Sequence, residues 1–429
     1  MTSPSSTTTA TVRVAIDIAK FTHQALIELP NGKRRVIRVA NSRADLDRFV
    51  AMLQAMPHPC EVAFEPTGDY HRPVAYALGQ AGCRLRFVSS LAVARTREAL
   101  FNTWDKNDPK DAQVILHLLK HGTTQAYVDP LVTGHHDLQE LANTYQQVSL
   151  RKVRLHHSLV THYLPLYFPE AERYLHSTRA AWFTELLLFT PCPAAVRRYS
   201  KAAFVAAASA QIAGRKVDKA RWLADFYDTA GCSVGLPVAP ESEAMRMFRL
   251  VLEDYRALCH RRQQLEADIQ TRLAAQRDFL RLQTVPGIGP ILALIILAEA
   301  RDLRRFGCVR QFLKYCGLDL CTEQSGQYRG TTHLSKRGNA RLRYAFWMAG
   351  TVAIRMRQNS FRRKFEDYVR PDPANPDRRR KAYTAVAAKM ARVVYAVITT
   401  GTDYRRFPEA TRPGGRIPSL RAVEASATS

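Results

Sequence analysis

The chain lacks several signals that would narrow its class at once. Its eight cysteines are scattered without a Cys-x-x-Cys pair, which argues against a zinc site or a disulfide framework and favours reduced thiols in the cytoplasm. No apolar run reaches the roughly 20 residues that a membrane span needs, and the apolar segment at residues 180–196 is too short and is interrupted by Pro191 and Pro193. Residues 1–11 are polar, lack the order of a signal peptide and are expected to form a disordered tail.

Acidic residues are scarce compared with basic ones. The chain has 63 Lys and Arg against 38 Asp and Glu, which gives a formal net charge of +25. This surplus predicts an affinity for polyanions. Nucleic acid is the leading partner, because phosphate contacts supply most non-specific binding. A membrane partner is not expected.

The pattern of apolar residues divides the 429 residues into three regions. Residues 12–130 alternate strand-like and helical runs, which predicts a mixed sheet flanked by helices. Residues 135–276 contain long polar helices with an insertion at 167–240, a pattern typical of an antiparallel helical hairpin or coiled coil. Residues 280–403 form a mainly helical third region. Residues 404–429 are rich in Pro, Gly and small residues, as expected of a flexible tail.

Carboxylates recur at the ends of the elements predicted for the first region. Asp17 and Glu65 each end an apolar strand, and Asp108 and Asp111 lie one turn apart at the start of a helix. Close carboxylates repel unless a cation neutralises them, and Mg²⁺ prefers oxygen ligands of this kind. Helix capping is the alternative for the helical pair, and a turn is the alternative for Asp17. Asp105 fits the same helical edge by spacing alone.

The third region opens with a glycine-rich turn, Pro-Gly-Ile-Gly-Pro at residues 286–290. In a helix-hairpin-helix, such a turn presents backbone N–H groups to a DNA phosphate, although a simple helix–helix turn has the same composition. A basic stretch with interleaved Tyr and His follows, and it suits nucleic-acid backbone contact as well as a solvated basic face. Its candidate nucleic-acid contacts are Arg329, Lys336, Arg337, Arg341 and Arg343.

Two serines lie within or just before this basic stretch. Ser325 stands in Glu-Gln-Ser-Gly-Gln, and Ser335 stands in Leu-Ser-Lys-Arg-Gly-Asn. A serine hydroxyl needs a base, a metal or surrounding cations before it can attack. Spacing alone favours neither serine, because a Ser-Gly pair is most often a turn.

Three N-terminal motifs, Val-Ala-Ile-Asp-Ile-Ala-Lys, Phe-Glu-Pro-Thr-Gly-Asp-Tyr and Lys-Asn-Asp-Pro-Lys-Asp-Ala-Gln, resemble those of the DEDD transposases of the insertion-sequence 110 family. That family is similar to Piv-type DNA invertases. The C-terminal order of Pro-Gly-x-Gly-Pro, Ser-Gly and Lys-x-Gly-Asn-x-x-Leu-Arg resembles the same family. The resemblance implies an α/β RNase H-like, RuvC-like N-terminal domain, a long helical coiled-coil middle and a mainly α C-terminal transposase domain with a helix-hairpin-helix-like turn.

The resemblance also implies roles for single residues. Asp17, Glu65, Asp108 and Asp111 match the four acids that hold metal, and Asp105 does not match. Lys106 matches a lysine that neutralises the acids or contacts phosphate. Ser325 matches the nucleophile, with Ser335 as the second candidate.

The function implied is that of a transposase or site-specific recombinase of an insertion sequence. A Mg²⁺-assisted serine would attack a DNA phosphodiester, and strand exchange and religation would follow. The expected partners are donor and target DNA, a noncoding bridge RNA and further copies of the chain in a dimer or tetramer. A cytoplasmic, nucleoid-associated protein is therefore expected. Two alternatives stay open: a metal-dependent Holliday-junction-type nuclease that uses the acids and water, and a catalytically silent nucleic-acid-binding protein.

Overall fold

The computed structural model describes residues 10–101, 108–175, 181–212, 219–322, 324–325, 328–357 and 359–405, without the side chains of residues 108, 109, 328 and 329. The chain divides into two compact units, with the boundary between residues 137 and 138. Each unit is described by itself. Most of the two predicted tails, together with Lys106 and Asp105, lies outside the described residues.

The first unit is built on one mixed sheet. Its elements are β1 (Val12–Asp17), β2 (Thr22–Glu28), β3 (Arg34–Ala40), α1 (Arg43–Gln54), β4 (Cys60–Phe64), α2 (His71–Gln80), β5 (Arg84–Phe87), α3 (Ser90–Phe101), α4 (Asp108–Lys120) and β6 (Gln125–Ala126). The strand order is β3-β2-β1-β4-β5-β6. The first three strands are antiparallel, β1, β4 and β5 are parallel, and β6 is antiparallel to β5. This mixed sheet with flanking helices confirms the predicted α/β class and fits an RNase H-like domain.

The central strand β1 is covered on both faces. Val14 and Ile16 belong to the core cluster that also contains residues of α1 and α2. Ala15 faces the opposite way, in the cluster formed with residues of α4, because successive side chains of a strand point to opposite faces. Small side chains at Ala15 and at Ala63 of β4 let α4 pack closely on the middle of the sheet. The sheet thereby fixes the position of α4.

The second unit begins with two long helices and the small helices between them. Its first elements are α5 (His136–Ser158), a π-helical turn (Leu159–Tyr163), α6 (Leu164–Tyr167), a 3-10 turn (Pro169–Tyr174), α7 (Ala181–Phe189), α8 (Pro193–Arg197), α9 (Lys201–Gln211), α10 (Lys219–Gly231) and α11 (Glu243–Leu273). The Tyr145 hydroxyl of α5 donates to Glu266 of α11 at 2.8 Å. Nearer the other end of α5, Lys152 lies 5.4 Å from the ring centre of Tyr255. These contacts pair α5 and α11 in antiparallel order, and coiled-coil packing between them stays a prediction.

The remaining elements form a second helical core. They are α12 (Arg277–Thr284), α13 (Pro290–Ala300), a 3-10 turn (Leu303–Arg305), α14 (Val309–Tyr315), β7 (Leu320–Cys321), β8 (Gln324–Ser325), β9 (Tyr328–Arg329), β10 (His333–Leu334), α15 (Ala340–Ala353), α16 (Ser360–Val369) and α17 (Pro376–Thr400). Buried residues of α13, α15 and α17 dominate this core, as predicted for a mainly helical region.

One helix differs from the expectation that no apolar run could span a membrane. By length and composition α17 is apolar enough to do so, and half of its most apolar stretch is buried inside the protein. Its buried face includes Val386, Met390 and Val394, which pack in the core of the second unit. This run is not obvious in the sequence because Lys389 and Arg392 interrupt it.

Candidate functional site

Two of the predicted acids follow neighbouring strands. The parallel pairing of β1 and β4 sets Ile16 opposite Phe64. Asp17, the last residue of β1, and Glu65, the residue after β4, come next, so they reach the same carboxyl edge of the sheet. Both are partly exposed. The carboxyl edge of parallel strands is where open α/β sheets bind ligands, so the fold brings this pair to a suitable position.

The third predicted acid, Asp111, forms an ion pair with an arginine of the protein. Asp111 lies on α4, is 4% exposed, and accepts from Arg97 of α3. The Arg97 Nε is 2.6 Å and Nη2 is 2.5 Å from the same oxygen, Oδ1. Arg97 could not be identified from the sequence, because a single arginine on a helix gives no signal of its partner. The buried carboxylate therefore has a counter-ion supplied by the protein.

The fourth acid lies at the edge of the described structure. Asp108 is the first residue of α4, and its side chain is outside the description. Among the described residues, no group of three or more His, Cys, Asp or Glu side chains lies close enough to hold a metal ion. The donor type suits a hard cation, since carboxylate oxygens are its preferred ligands. The four-acid metal pocket nevertheless stays a prediction.

The glycine-rich turn between α12 and α13 is packed against α15. A Cβ on Gly287, where φ is +90°, would stand 2.3 Å from the backbone oxygen of Ala349. Gly289 differs, because it is exposed and a Cβ there would meet nothing within 4 Å. It occupies the N-cap of α13. The first glycine therefore serves helix packing, and contact of the second with phosphate stays a prediction.

The two candidate serines differ in their surroundings. Ser325 is exposed on β8, where it pairs with Tyr328 of the two-stranded β8–β9 sheet. Ser335 is partly buried, and its hydroxyl donates to the carboxylate of Asp319. Its backbone N–H also donates to the carbonyl of Asp319 at 3.0 Å. Ser335 is thus anchored by Asp319, whereas Ser325 lies open to solvent.

The cations of the basic stretch fall into two groups. Arg341 pairs with Glu299 at 2.7 Å and donates to Asn143 at 2.5 Å. Arg343 donates to the carbonyl oxygens of Cys316 at 3.3 Å and Lys336 at 3.2 Å. Both arginines therefore hold the local fold together. Lys336 and Arg337 are exposed, and the side chain of Arg329 lies outside the description.

The Gly-Asn pair of the same stretch has a structural cause. A Cβ on Gly338 would stand 2.5 Å from the carbonyl oxygen of Tyr315, so no other residue fits there without movement. Asn339 caps α15 by accepting from the N–H of Leu342 at 2.9 Å. Its amide also donates to Glu299 at 2.6 Å. The Asn339–Glu299 contact links the basic stretch to α13.

Family models match both ends of the chain. Residues 14–169 match a model for DEDD transposases of the IS110 type, and residues 280–366 match the transposase IS116/IS110/IS902 family. The chain belongs to the IS110 family of transposases. The first match contains all four predicted acids, and the second contains both candidate serines.

The chain is also similar to individual transposases and insertion-element proteins. A probable family 20 transposase of Pseudomonas aeruginosa is 31% identical over 39% of this chain and 48% of its own length. The transposase of element IS1111A from Coxiella burnetii is 29% identical over 40% of this chain and 48% of its own. These two alignments span about half of each relative. The uncharacterised 43.6 kDa protein of element IS110 from Streptomyces coelicolor is 24% identical over 92% of this chain and 96% of its own.

A solved structure is also similar to part of this IS110-family chain. The Thermus thermophilus RuvC structure is 16% identical, covers 27% of this chain and 99% of its own, and has a TM-score of 0.20. The strand order and directions given above carry the fold assignment without it.

Proposed function

We propose that this chain is the transposase of an insertion sequence, which cuts and rejoins DNA strands. The observation that carries the proposal is the parallel register of β1 and β4, which brings Asp17, the last residue of β1, and Glu65, the residue after β4, to one sheet edge. The helix α4, which bears Asp111, packs on the same sheet. Family membership supports the reaction class.

The acids Asp17, Glu65, Asp108 and Asp111 would hold a divalent cation, with Mg²⁺ proposed. Such a cation would supply charge neutralisation at the scissile phosphate. Until a cation binds, Arg97 supplies a counter-ion to the buried carboxylate of Asp111. The arginine and the cation would therefore compete for the same carboxylate.

Ser325 is the proposed nucleophile. Its Oγ would attack the scissile phosphorus, the bond from phosphorus to the leaving strand oxygen would break, and the departing hydroxyl would end with a proton. The phosphoserine ester conserves the bond energy. Attack by the hydroxyl of a second strand would then release Ser325 and complete the joining. The exposed position of Ser325 on β8 supports this role, because a DNA strand can reach it. Lys336 and Arg337 are the proposed phosphate contacts.

The proposal extends to partners. A noncoding bridge RNA would pair with donor and target DNA, so that base pairing reads the sequence and the protein reads the backbone. The net charge of +25 supports a ribonucleoprotein of this kind. Contacts through α5 and α11 would join two or four copies of the chain. A cytoplasmic, nucleoid-associated location follows from these partners.

A junction nuclease is the second candidate, because acids at the carboxyl edge of a sheet can act with water and need no serine. The two candidate functions are distinguished by measuring the cleavage of end-labelled element-junction DNA incubated with the RNA-loaded protein and Mg²⁺. Asp17→Asn should abolish cleavage in both readings. Ser325→Ala should abolish cleavage and joining if the chain is a serine transposase. Cleavage that survives Ser325→Ala would establish the nuclease and overturn the proposal.

A further inference from the structure

Four aromatic rings form a continuous strip on the surface of the second unit. Tyr344 and Trp347 of α15 stack at 6.4 Å between ring centres, with their planes 22° apart. Trp347 lies 6.2 Å from Tyr383 of α17, and Tyr383 lies 4.9 Å from Phe365 of α16. The aromatic strip, as these four residues are called below, therefore crosses three helices.

The outer end of the aromatic strip is open to solvent. Tyr344 is 59% exposed and Trp347 is 42% exposed, whereas Tyr383 and Phe365 are partly buried. The inner rings thus anchor the strip to the fold, and the outer rings offer their faces. Large exposed aromatic rings in contact with one another are typical of binding surfaces rather than of random surface positions.

Cations border the aromatic strip. Arg379 lies one turn before Tyr383 on the same face of α17, and its guanidinium is 6.0 Å from the ring centre of Phe365. Arg380 lies on that face too and is paired with Asp377 at 2.8 Å, with both side chains 74% exposed. An exposed pair of this kind is weak, so a phosphate can displace Asp377. Arg379 makes no ion pair within the part of the chain that the structure describes.

A second group of basic residues lies on α16 and α17. A cleft of about 440 Å³ beside α16 and α17 is lined by Arg363, Lys364 and Lys389, together with Tyr368. The single carboxylate of its lining, Asp367, pairs with Arg370. Between residues 360 and 392 the chain has ten Lys or Arg against four Asp or Glu. The surroundings of the aromatic strip therefore favour a polyanion.

We propose that the aromatic strip binds single-stranded nucleic acid, with unpaired bases stacked on Tyr344 and Trp347 and the adjoining phosphates held by Arg379 and Arg380. Aromatic side chains beside a cationic groove bind single strands in this way, because every base presents a π face. A duplex hides those faces, so it binds less well. The proposal rests on the proposed function, in which nucleic acid is the substrate class. It adds where the nucleic acid binds and that the bound strand is single.

A second copy of the chain is the rival occupant. The exposed apolar side chains Val352 and Met356 of α15 would suit a protein interface. Two copies meeting through this face would bring like charges from α16 and α17 together, which costs free energy. The charge of the surface therefore favours the nucleic acid.

The test uses the full chain with a short oligo(U), a short oligo(dT) and a DNA duplex. Trp347→Ala and Tyr344→Ala should each weaken single-strand binding about tenfold, and Trp347→Phe should keep it. Quenching of tryptophan fluorescence by either oligonucleotide should disappear in Trp347→Phe and persist in Trp182→Phe. Tyr76→Ala removes an exposed ring from α2 and is the matched control. The oligo(U) and oligo(dT) arms tell whether RNA or DNA is preferred.

Unchanged single-strand affinity in Trp347→Ala, or an equal loss on the duplex, would overturn the proposal. A shift from oligomer to monomer in Trp347→Ala, without a change in affinity, would identify a protein interface instead. Ser325→Ala separates this site from the proposed function, because that variant should bind single strands normally even though it joins none. If Ser325→Ala still cleaves DNA, the serine mechanism fails and the binding result stands by itself.

Discussion

Arg97 donates to Oδ1 of Asp111 from both Nε and Nη2, at 2.6 and 2.5 Å. The pair joins α3 to α4, and its side chains are 17% and 5% exposed. Both contacts go to one oxygen of the carboxylate, and within the described chain no hydrogen bond is donated to Oδ2 of Asp111. The protein therefore stabilises a buried carboxylate at the proposed metal site without using metal.

This relationship predicts a metal-dependent stability defect. Arg97→Gln leaves Asp111 buried and uncompensated, which should lower the free energy of unfolding by about 3 kcal/mol in a chelator. Added Mg²⁺ should restore part of the loss in the variant and change the wild type little. The control is Arg95→Gln on the same helix, which removes an exposed pair with Glu98 and should cost under about 1 kcal/mol. Equal, metal-independent losses in both variants would contradict the prediction.

The packing of the glycine-rich turn predicts a sharp difference between its two glycines. Gly287→Ala should destabilise the second unit by about 2 kcal/mol or more, because the new Cβ meets the Ala349 oxygen and φ is +90°. Gly289→Ala should change the free energy of unfolding by less than about 1 kcal/mol, because the space around Gly289 is open. Urea unfolding of the two variants measures both. Similar losses would show that the turn does not pack on α15.

The hydrogen bonds of Asp129, an acid outside the proposed metal site, predict that the free energy of unfolding depends on pH. Burial alone would raise the pKa of Asp129, but hydrogen bonds from Arg72, the Leu131 N–H and Tyr127 together hold it below its ordinary value. A lowered pKa gives stability above the unfolded value of about 3.9, and that stability is lost as the pH falls through the folded value. Asp129→Asn should therefore cost about 2 kcal/mol at neutral pH and progressively less below about pH 4.

Urea unfolding of Asp129→Asn and wild type at neutral and acidic pH measures this difference. The control is Asp47→Asn, which removes an exposed pair with Arg43 and should lower the free energy of unfolding much less at neutral pH. A penalty for Asp129→Asn that is the same at both pH values would refute the assignment of this stability to the ionised carboxylate.

The arginines of the basic stretch that bond within the protein should differ from the exposed ones in stability and binding assays. Arg341→Ala removes the partner of Glu299, whose side chain is 13% exposed, and should destabilise the protein by about 2 kcal/mol. Arg337→Ala should leave stability unchanged, weaken DNA binding and lower the salt dependence of binding by about one phosphate contact. Thermal unfolding of the two variants and their DNA binding at several salt concentrations test these expectations. A stability loss in Arg337→Ala would contradict this division.

The sequence predicted the mixed sheet and the helical remainder because their signals are local. The hairpin of β2 and β3 also has local signals, because alternating apolar residues flank Asn31 and Gly32, and Gly32 has the positive φ of +82° that suits such a turn. The positions of Asp17 and Glu65 at strand ends could be predicted because the end of each strand is visible in the sequence.

Long-range relationships could not be predicted in this way. Arg97 pairs with a residue 14 positions away through the packing of α3 on α4, and no periodicity encodes that contact. Arg341 and Arg343 lie in a stretch whose composition is typical of nucleic-acid contacts. Within the protein, however, Arg341 pairs with Glu299 and Arg343 donates to the carbonyl of Cys316. The Ser335–Asp319 contact depends equally on the folded backbone. Composition predicts which chemistry is available, and packing decides which side chains are used within the protein.

Covalent trapping at Ser325 tests the central claim most directly. RNA-loaded protein, Mg²⁺ and end-labelled element-junction DNA are resolved on a denaturing gel, beside Ser325→Ala, Ser335→Ala and Asp111→Asn. The account predicts a protein–DNA adduct in wild type and Ser335→Ala, with none in Ser325→Ala or Asp111→Asn. An adduct that persists in Ser325→Ala and disappears in Ser335→Ala, or cleavage without any adduct, would contradict it.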